Sequence, residues 1–293
     1  MITGLCHDVI AQSVPNTWPC ARSSPGLMEL LMFVSLAASR RLRGAAVMVT
    51  LALASAPLRA QTAADHILLG DKDHLATNAP SALHHYEEAI KADPRFYEAL
   101  WKATREAVDV GEYNPDDKER QRLYSAAELY ARRALEANPT DVEGHAQLAR
   151  ALGRKALSLG KKDQVKYAGD VRTHALDALK IDPTHSGALH VMGKWNYEVL
   201  RLSGITRYLA KTFLGGKVFD SANWDDAQRF MEESTALDPG RVIHHLDLAR
   251  VYAARGNKEK AREQYDAAIR GTPTDYNDRK YQAEAEEEIK NVR

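Results

Sequence analysis

The chain contains the tetrapeptides KADP at residues 91–94, EANP at 136–139, KIDP at 180–183, ALDP at 236–239 and RGTP at 270–273. Each follows a stretch rich in residues that favour helix. A proline at such a place lacks a backbone donor and cannot continue the helix, so each tetrapeptide marks a helix end and a turn. The sequence therefore predicts five equivalent helix ends.

The last two of these prolines, Pro239 and Pro273, are 34 residues apart, which is the period of the tetratricopeptide repeat. Counting back from the prolines, small residues recur where the two helices of such a repeat cross closely, and a large residue fills the space beside them. In the first and last repeats these are Gly70, Ala82, Tyr86 and Ala89, and Ala249, Ala261, Tyr265 and Ala268. We expect an all-α, tetratricopeptide-like α-solenoid of about five helix pairs; an ordinary helical bundle is the alternative.

The middle repeats are longer than one period, which predicts elongated helices. Asn114-Pro115 has the residue types of an N-cap and first helical position, for a helix that runs to Ala137. A second long helix is expected from Lys161 to Ile181. Residues 205–214 are predicted to form a short amphipathic helix, and residues 275–293 a C-terminal capping helix.

The 293 residues divide by composition at about residue 60. Residues 39–43 are basic, residues 44–56 are apolar, and Ala60 suits signal-peptidase cleavage, so residues 1–60 are interpreted as an upstream segment with a signal peptide. Residues 61–293 then form the solenoid, exported to the periplasm or medium. The alternative is a membrane tether by an uncleaved leader; after cleavage no stable membrane span is expected, and both cysteines, Cys6 and Cys20, leave with the leader.

Four segments resemble a known family: GALHVMGKWNYEV at 187–199, LS at 202–203, WDDA at 224–227 and TDYNDRKY at 274–281. They are similar to the regulator of microtubule dynamics family, and the resemblance covers roughly residues 61–293. It implies an α-solenoid without enzymatic activity. In eukaryotic members it also implies association with microtubules or organelle membranes, a setting from which a secretory leader departs.

A search for chemistry finds no zinc-protease, serine-hydrolase, phosphate-loop or dinucleotide-binding motif, so the chain is not expected to be an enzyme. Its 40 basic and 40 acidic residues balance, which argues against nucleic-acid binding. His84-His85 and His244-His245 are adjacent and point about 100° apart on a helix, and no two histidines are four residues apart. His84 with Glu88 is interpreted as solvated surface. We predict no metal site and no cofactor.

The concave groove is the remaining candidate site. In tetratricopeptide solenoids, positions 5, 9 and 12 of the first helix of each repeat line this groove. Position 9 is acidic in the first repeat, at Asp71, and basic in the next four. The predicted groove residues are Arg105, Arg150, Lys194, Arg250, Trp101, His190 and Tyr197.

A row of cations beside aromatic side chains suits an acidic, extended partner or an anionic headgroup. The favoured function is a scaffold or adaptor that binds a protein or peptide in the groove. The second hypothesis is binding or carriage of an anionic lipid or other amphiphile. Alternatively, the groove cations are not free to bind a partner. Glu98 and Glu143 stand seven residues before Arg105 and Arg150 on the same helix faces and would neutralise them as structural ion pairs.

Overall fold

The computed structural model describes residues 62–204 and 216–292, which form eleven α-helices and no strand. The predicted leader and the predicted helix at 205–214 lie outside these residues. In chain order the helices are α1 (Ala63–Leu75), α2 (Ala79–Ala92), α3 (Tyr97–Glu112), α4 (Asp117–Ala137), α5 (Val142–Leu157), α6 (Lys161–Ile181), α7 (Ser186–Leu200), α8 (Trp224–Leu237), α9 (Val242–Ala254), α10 (Lys258–Arg270) and α11 (Asp278–Glu288). Two 3₁₀ turns, Gly216–Ser221 and Ile289–Val292, precede α8 and follow α11.

Consecutive helices pack as pairs, α1 with α2 through to α9 with α10, so the predicted five-repeat solenoid is confirmed. The first four prolines each stand two residues after the end of the second helix of a pair and three before the next helix. At three of these corners the Asp or Asn before the proline accepts a hydrogen bond from the backbone N–H just after it, at 2.8–3.3 Å. The side chain thus stabilises the turn where proline has no donor.

The small residues of the repeat pattern lie where paired helices touch. A methyl group on Gly70 would stand 2.4 Å from Cε1 of Tyr86, and one on Gly193 would stand 2.7 Å from Cγ of Met231. Tyr86 and Met231 are themselves fully buried. The close approach of the helices therefore depends on these two glycines, as the pattern indicates.

Both long middle helices are present, and α6 has the predicted bounds Lys161–Ile181. The start of α4 is a correction: the N-cap is Asp116, whose side chain accepts from the backbone of Lys118 and Glu119, and not Asn114. Asn114 accepts instead from the backbone N–H of Asp116, at 3.0 Å, and so forms a turn that holds Pro115 ahead of the helix.

The C-terminal segment packs on α9 and α10 as a cap and also reaches back to the second repeat. Tyr281 donates to Glu112 at 2.7 Å, Tyr113 donates to Glu284 at 2.6 Å, and the Asn277 side chain donates to the carbonyl of Asp109 at 2.8 Å. These bonds join residues about 170 positions apart in the sequence. The segment therefore lies along the side of the solenoid formed by the first helices of the repeats.

Candidate functional site

The predicted row of cations is present on the first helices of repeats two to five, and every member has an acidic partner. Arg105 contacts Glu106 at 2.7 Å, Arg150 contacts Asp109 at 2.5 Å, and Lys194 contacts Asp247 at 2.8 Å. Arg250 contacts Asp247 as well, at 3.0 Å. The row is thus built into a network of ion pairs, of which those of Arg150 and Lys194 join neighbouring repeats.

Asp247 is the centre of this network, and its side chain is 1 % exposed. His190 Nε2 lies 3.0 Å from one carboxylate oxygen, while Lys194 and Arg250 contact the other. Burial alone would raise the pKa of Asp247, but the ammonium of Lys194, the bond from His190 and the guanidinium of Arg250 together hold this pKa well below its usual range. Asp247 is therefore a buried, ionised anchor for three groove residues.

The alternative that Glu98 and Glu143 pair with Arg105 and Arg150 is wrong. Glu98 binds Lys102, one turn later on α3, at 2.6 Å. Glu143 lies 3.3 Å from Nε2 of His185 and accepts from Gln147. The acids that do compensate the two arginines, Glu106 and Asp109, lie one and four residues after Arg105 in the sequence.

A pocket of about 190 Å³ opens beside these cations and penetrates between α5 and α7 toward α6. This volume exceeds the roughly 150 Å³ of an engineered cavity that binds benzene. The predicted residues that line the pocket are Arg105, Arg150, Lys194 and His190. Four predicted positions from three separate helices are thus brought to one place.

The other three predicted groove residues lie away from the described pocket walls. Trp101 packs against the guanidinium of Arg105, with 5.4 Å from Cζ to the ring centre. Tyr197 is buried edge-on against Trp224. Arg250 bonds Glu284 and Glu288 of the C-terminal segment, so this cation fastens α11 to α9.

Several pocket residues were missed at the sequence level. Arg154, one turn after Arg150, contacts Glu112 at 2.6 Å, and Arg241, Asn277 and Tyr281 form another wall. The sequence could have predicted Arg154 as a groove residue, since it stands four residues after a groove position on the same helix face. Nothing in the local pattern indicates that Asn277 and Tyr281, near the chain end, lie against the second and third repeats.

Histidines also meet across helices, which the search within single helices missed. Among the residues that the structure describes, ligand atoms of His145 on α5 and of His174 and Asp177 on α6 lie within 4.8 Å of one another. The prediction of no metal site considered only spacing along one helix. A cluster formed between two helices lies outside that prediction.

Of the helices in residues 62–204 and 216–292, none is both long enough and apolar enough to cross a membrane.

Comparison with known proteins assigns the solenoid to a family. Residues 62–293 match the family described as regulator of microtubule dynamics protein 1-3. Regulator of microtubule dynamics protein 1 of Bos taurus is 26 % identical over 167 residues, 56 % of this chain and 52 % of that protein. The corresponding protein 2 of Mus musculus is 22 % identical over 199 residues, 67 % of this chain and 48 % of that protein. This chain thus spans about half the length of these relatives.

A solved structure supports the fold. A thermophilic TPR protein of Thermus thermophilus superposes with a TM-score of 0.54 at 20 % identity, over 76 % of this chain and 98 % of that one. The family match extends over the whole described solenoid, including the C-terminal segment that lines part of the pocket. The chain belongs to the regulator of microtubule dynamics family and has the fold of a tetratricopeptide-repeat α-solenoid.

Proposed function

We propose that the protein is a non-enzymatic scaffold that binds an acidic segment of a partner protein in the pocket between α5 and α7. One observation carries the proposal: each lysine and arginine of the pocket wall is more exposed than the acid nearest to it. The second partner of Lys194, Glu198, is more exposed than the lysine but lies farther away, at 3.5 Å. The side chain of Lys194 is 19 % exposed and that of Asp247 is 1 % exposed. Arg105, also 19 % exposed, stands over Glu106, which is 1 % exposed. The positive groups therefore face the opening.

The charges along the pocket wall agree with an acidic partner. Five basic residues line the pocket, against three acidic ones. An arginine has five N–H donors in a planar fork, so one bond to an internal acid leaves donors that can bind a carboxylate. The cations are positioned before the partner arrives, which reduces the entropy lost on binding.

The inner wall of the pocket is apolar, which sets a second requirement for the partner. It consists of side chains such as Val165, Trp195 and Phe219, which are nearly fully buried. An acidic residue held at the mouth would place a neighbouring aliphatic or aromatic side chain in this space, where burial of apolar surface adds affinity. We expect a segment that combines acidic and apolar residues.

The test is fluorescence anisotropy with a labelled peptide rich in glutamate and carrying two leucines. Lys194→Met should weaken binding about tenfold, the loss of one charge-assisted contact. Asp247 keeps Arg250 and His190 in this variant. Lys91→Met removes the same charge on the outer helix α2, where Lys91 is 70 % exposed, and should bind as the unchanged chain does.

Equal affinity in the unchanged chain and the Lys194→Met variant would contradict the proposal. A lysine-rich peptide of the same length serves as the charge control. If it binds as well as the acidic peptide, the cations are not what recognises the partner.

An anionic amphiphile is the second candidate, because the same pocket has a cationic mouth and an apolar interior. Lipid extraction and mass spectrometry of the purified protein separate the two. A stoichiometric lipid, displaced by neither peptide, favours the amphiphile over the protein segment.

Export through the leader is part of the same proposal, and N-terminal sequencing of the mature protein tests it. A chain that begins near Gln61 supports export, and one that retains residues 1–60 contradicts cleavage. Microtubule association, which the names of the relatives carry, is tested by co-sedimentation with polymerised tubulin.

A further inference from the structure

In both the first and the third repeat, a histidine of the first helix faces a histidine of the second helix, and the two pairs occupy equivalent positions. Nδ1 of His66 lies 3.3 Å from Nδ1 of His85, and Nδ1 of His145 lies 3.1 Å from Nδ1 of His174. His85 and His174 each stand nine residues before the proline of their repeat. The same two helix positions therefore bring a pair of ring nitrogens together twice.

The third repeat adds a carboxylate to its pair. Asp177 follows His174 by three residues on α6, so both lie on one helix face. Ligand atoms of His145, His174 and Asp177 all lie within 4.8 Å of one another. Among the residues described in the structure, this is the one set of three that meets this spacing.

The first repeat has the same residue types but not the same convergence. Glu88 is its counterpart of Asp177, and each is held by a lysine three residues later, but the carboxylate of Glu88 does not meet the histidine nitrogens at the spacing found in the third repeat. The other nearby acid, Asp73, faces the opposite ring nitrogen of His85, with 3.7 Å to Nε2. The first repeat thus serves as an internal reference for the third.

The distances suit one small cation. Two imidazole nitrogens bound tetrahedrally to Zn²⁺ at about 2.0–2.1 Å lie about 3.3 Å apart, close to the spacing of the His145 and His174 nitrogens. Two imidazoles and one carboxylate form a ligand set that Zn²⁺ accepts, with a fourth position for water. Mg²⁺ and Ca²⁺ prefer oxygen ligands and fit less well.

One of the three ligand groups already has a charged partner. Lys180 contacts Asp177 at 2.7 Å and is 75 % exposed, so it competes with a metal for this carboxylate from the solvent side.

We propose that His145, His174 and Asp177 form a three-ligand Zn²⁺ site that ties α5 to α6 in the third repeat. A metal here would hold the two helices of one pair together. It would stabilise the folded state by an amount that rises with the logarithm of its free concentration above the Kd, because the unfolded chain does not keep the three ligands together.

The experiment is titration of the full chain, stripped of metal and free of any histidine tag, with ZnCl₂ by calorimetry. We expect the unchanged chain to bind one Zn²⁺ at this site. In His174→Gln the affinity of the site for Zn²⁺ should be lowered about a hundredfold or more. His85→Gln, at the equivalent position of the first repeat, should bind as the unchanged chain does. Cys6 and Cys20 are present in all variants, so they do not affect the difference.

The fifth repeat shows that glutamine is compatible with this position. There His245 Nδ1 lies 2.7 Å from the side-chain oxygen of Gln264, which stands nine residues before Pro273. His174→Gln should therefore melt without metal at the temperature of the unchanged chain, and only the rise with ZnCl₂ should disappear. Lys180→Met removes the competitor and should increase the affinity.

Identical Zn²⁺ titrations for the unchanged chain and His174→Gln would overturn the proposal. Loss of the site in His85→Gln with retention in His174→Gln would do so equally.

Discussion

One ion pair on the pocket side and one on an outer helix differ in how far along the chain they reach and in how deeply they are buried. Lys194 and Asp247 are 53 residues apart, and the acid is buried. On the outer helix α8, Arg229 and Glu233 are four residues apart, and both are about half exposed. The first kind joins repeats and keeps its strength in a low dielectric; the second is screened by water and salt. The same charge pattern in the sequence can therefore indicate a buried pair that joins repeats or a solvent-exposed pair within one helix.

The largest effect is expected from removing the central acid. Asp247→Asn removes the negative charge that Lys194 and Arg250 share. Because Lys194 keeps Glu198 and Arg250 keeps Glu284 and Glu288, the free energy of unfolding should fall by about 3 kcal/mol, the lower end for a broken buried pair. Urea denaturation measures this. Glu233→Gln, the matched change on α8, should cost less than about 0.5 kcal/mol. Equal losses would remove the distinction between the two sides.

A smaller effect is expected at the contact between the chain end and the second repeat. Tyr281→Phe removes the donor to Glu112, a hydrogen bond to a charged group, and should cost about 2 kcal/mol. Hydrogen exchange should become faster in residues 273–292 and in the last turn of α3. Tyr276→Phe changes an exposed tyrosine nearby and should leave both measurements unaltered. If Tyr281→Phe behaves as Tyr276→Phe does, the long-range bond does not fix the segment.

A smaller difference between the pocket side and the outer helices is expected in how the free energy of unfolding depends on pH. Burial, and then the neighbouring His190, hold the pKa of His244 well below its ordinary value. The unfolded chain binds a proton at His244 below about pH 6.5 and the folded chain does not, so the free energy of unfolding falls as pH falls below that value. The loss from this group is at most about 1.4 kcal/mol per pH unit. The raised pKa of His185 acts in the opposite direction: burial lowers it, but the bond to Glu143 outweighs burial.

His244→Asn should therefore reduce the change in unfolding free energy between pH 6.5 and pH 5. The slope is the readout, because losing the contact with Ser234 also lowers stability at every pH. His84→Asn, at an exposed position on α2, is the control and should keep the original slope. An unchanged slope in His244→Asn would mean that His244 titrates normally in the folded protein.

The sequence predicted what repeats locally. The proline corners, the glycines beside Tyr86 and Met231 and the bounds of α6 follow from residue types at fixed distances along the chain. The same counting placed Arg105, Arg150 and Lys194 on one side. Such features are encoded within a single repeat, so one sequence without relatives suffices to find them.

The remainder of the site depends on contacts between repeats. Arg150 and Lys194 have acidic partners on other helices, which come close to them only after the stack has formed. The position of the C-terminal segment depends on the curvature of that stack, which no local pattern shows. The histidine pairs are an intermediate case: both members stand at fixed repeat positions, so aligning the repeats by their prolines would have revealed them.

Photo-crosslinking tests most directly whether the pocket is where a partner binds. A benzophenone amino acid replaces Val191, which lines the pocket, or Leu129, which is 54 % exposed on the outer helix α4. The probe is the same glutamate-rich peptide with two leucines. We expect the peptide to crosslink at position 191, with competition by unlabelled peptide, and not at position 129. Crosslinking at position 129 alone, or to the same extent at both, would contradict binding in the pocket.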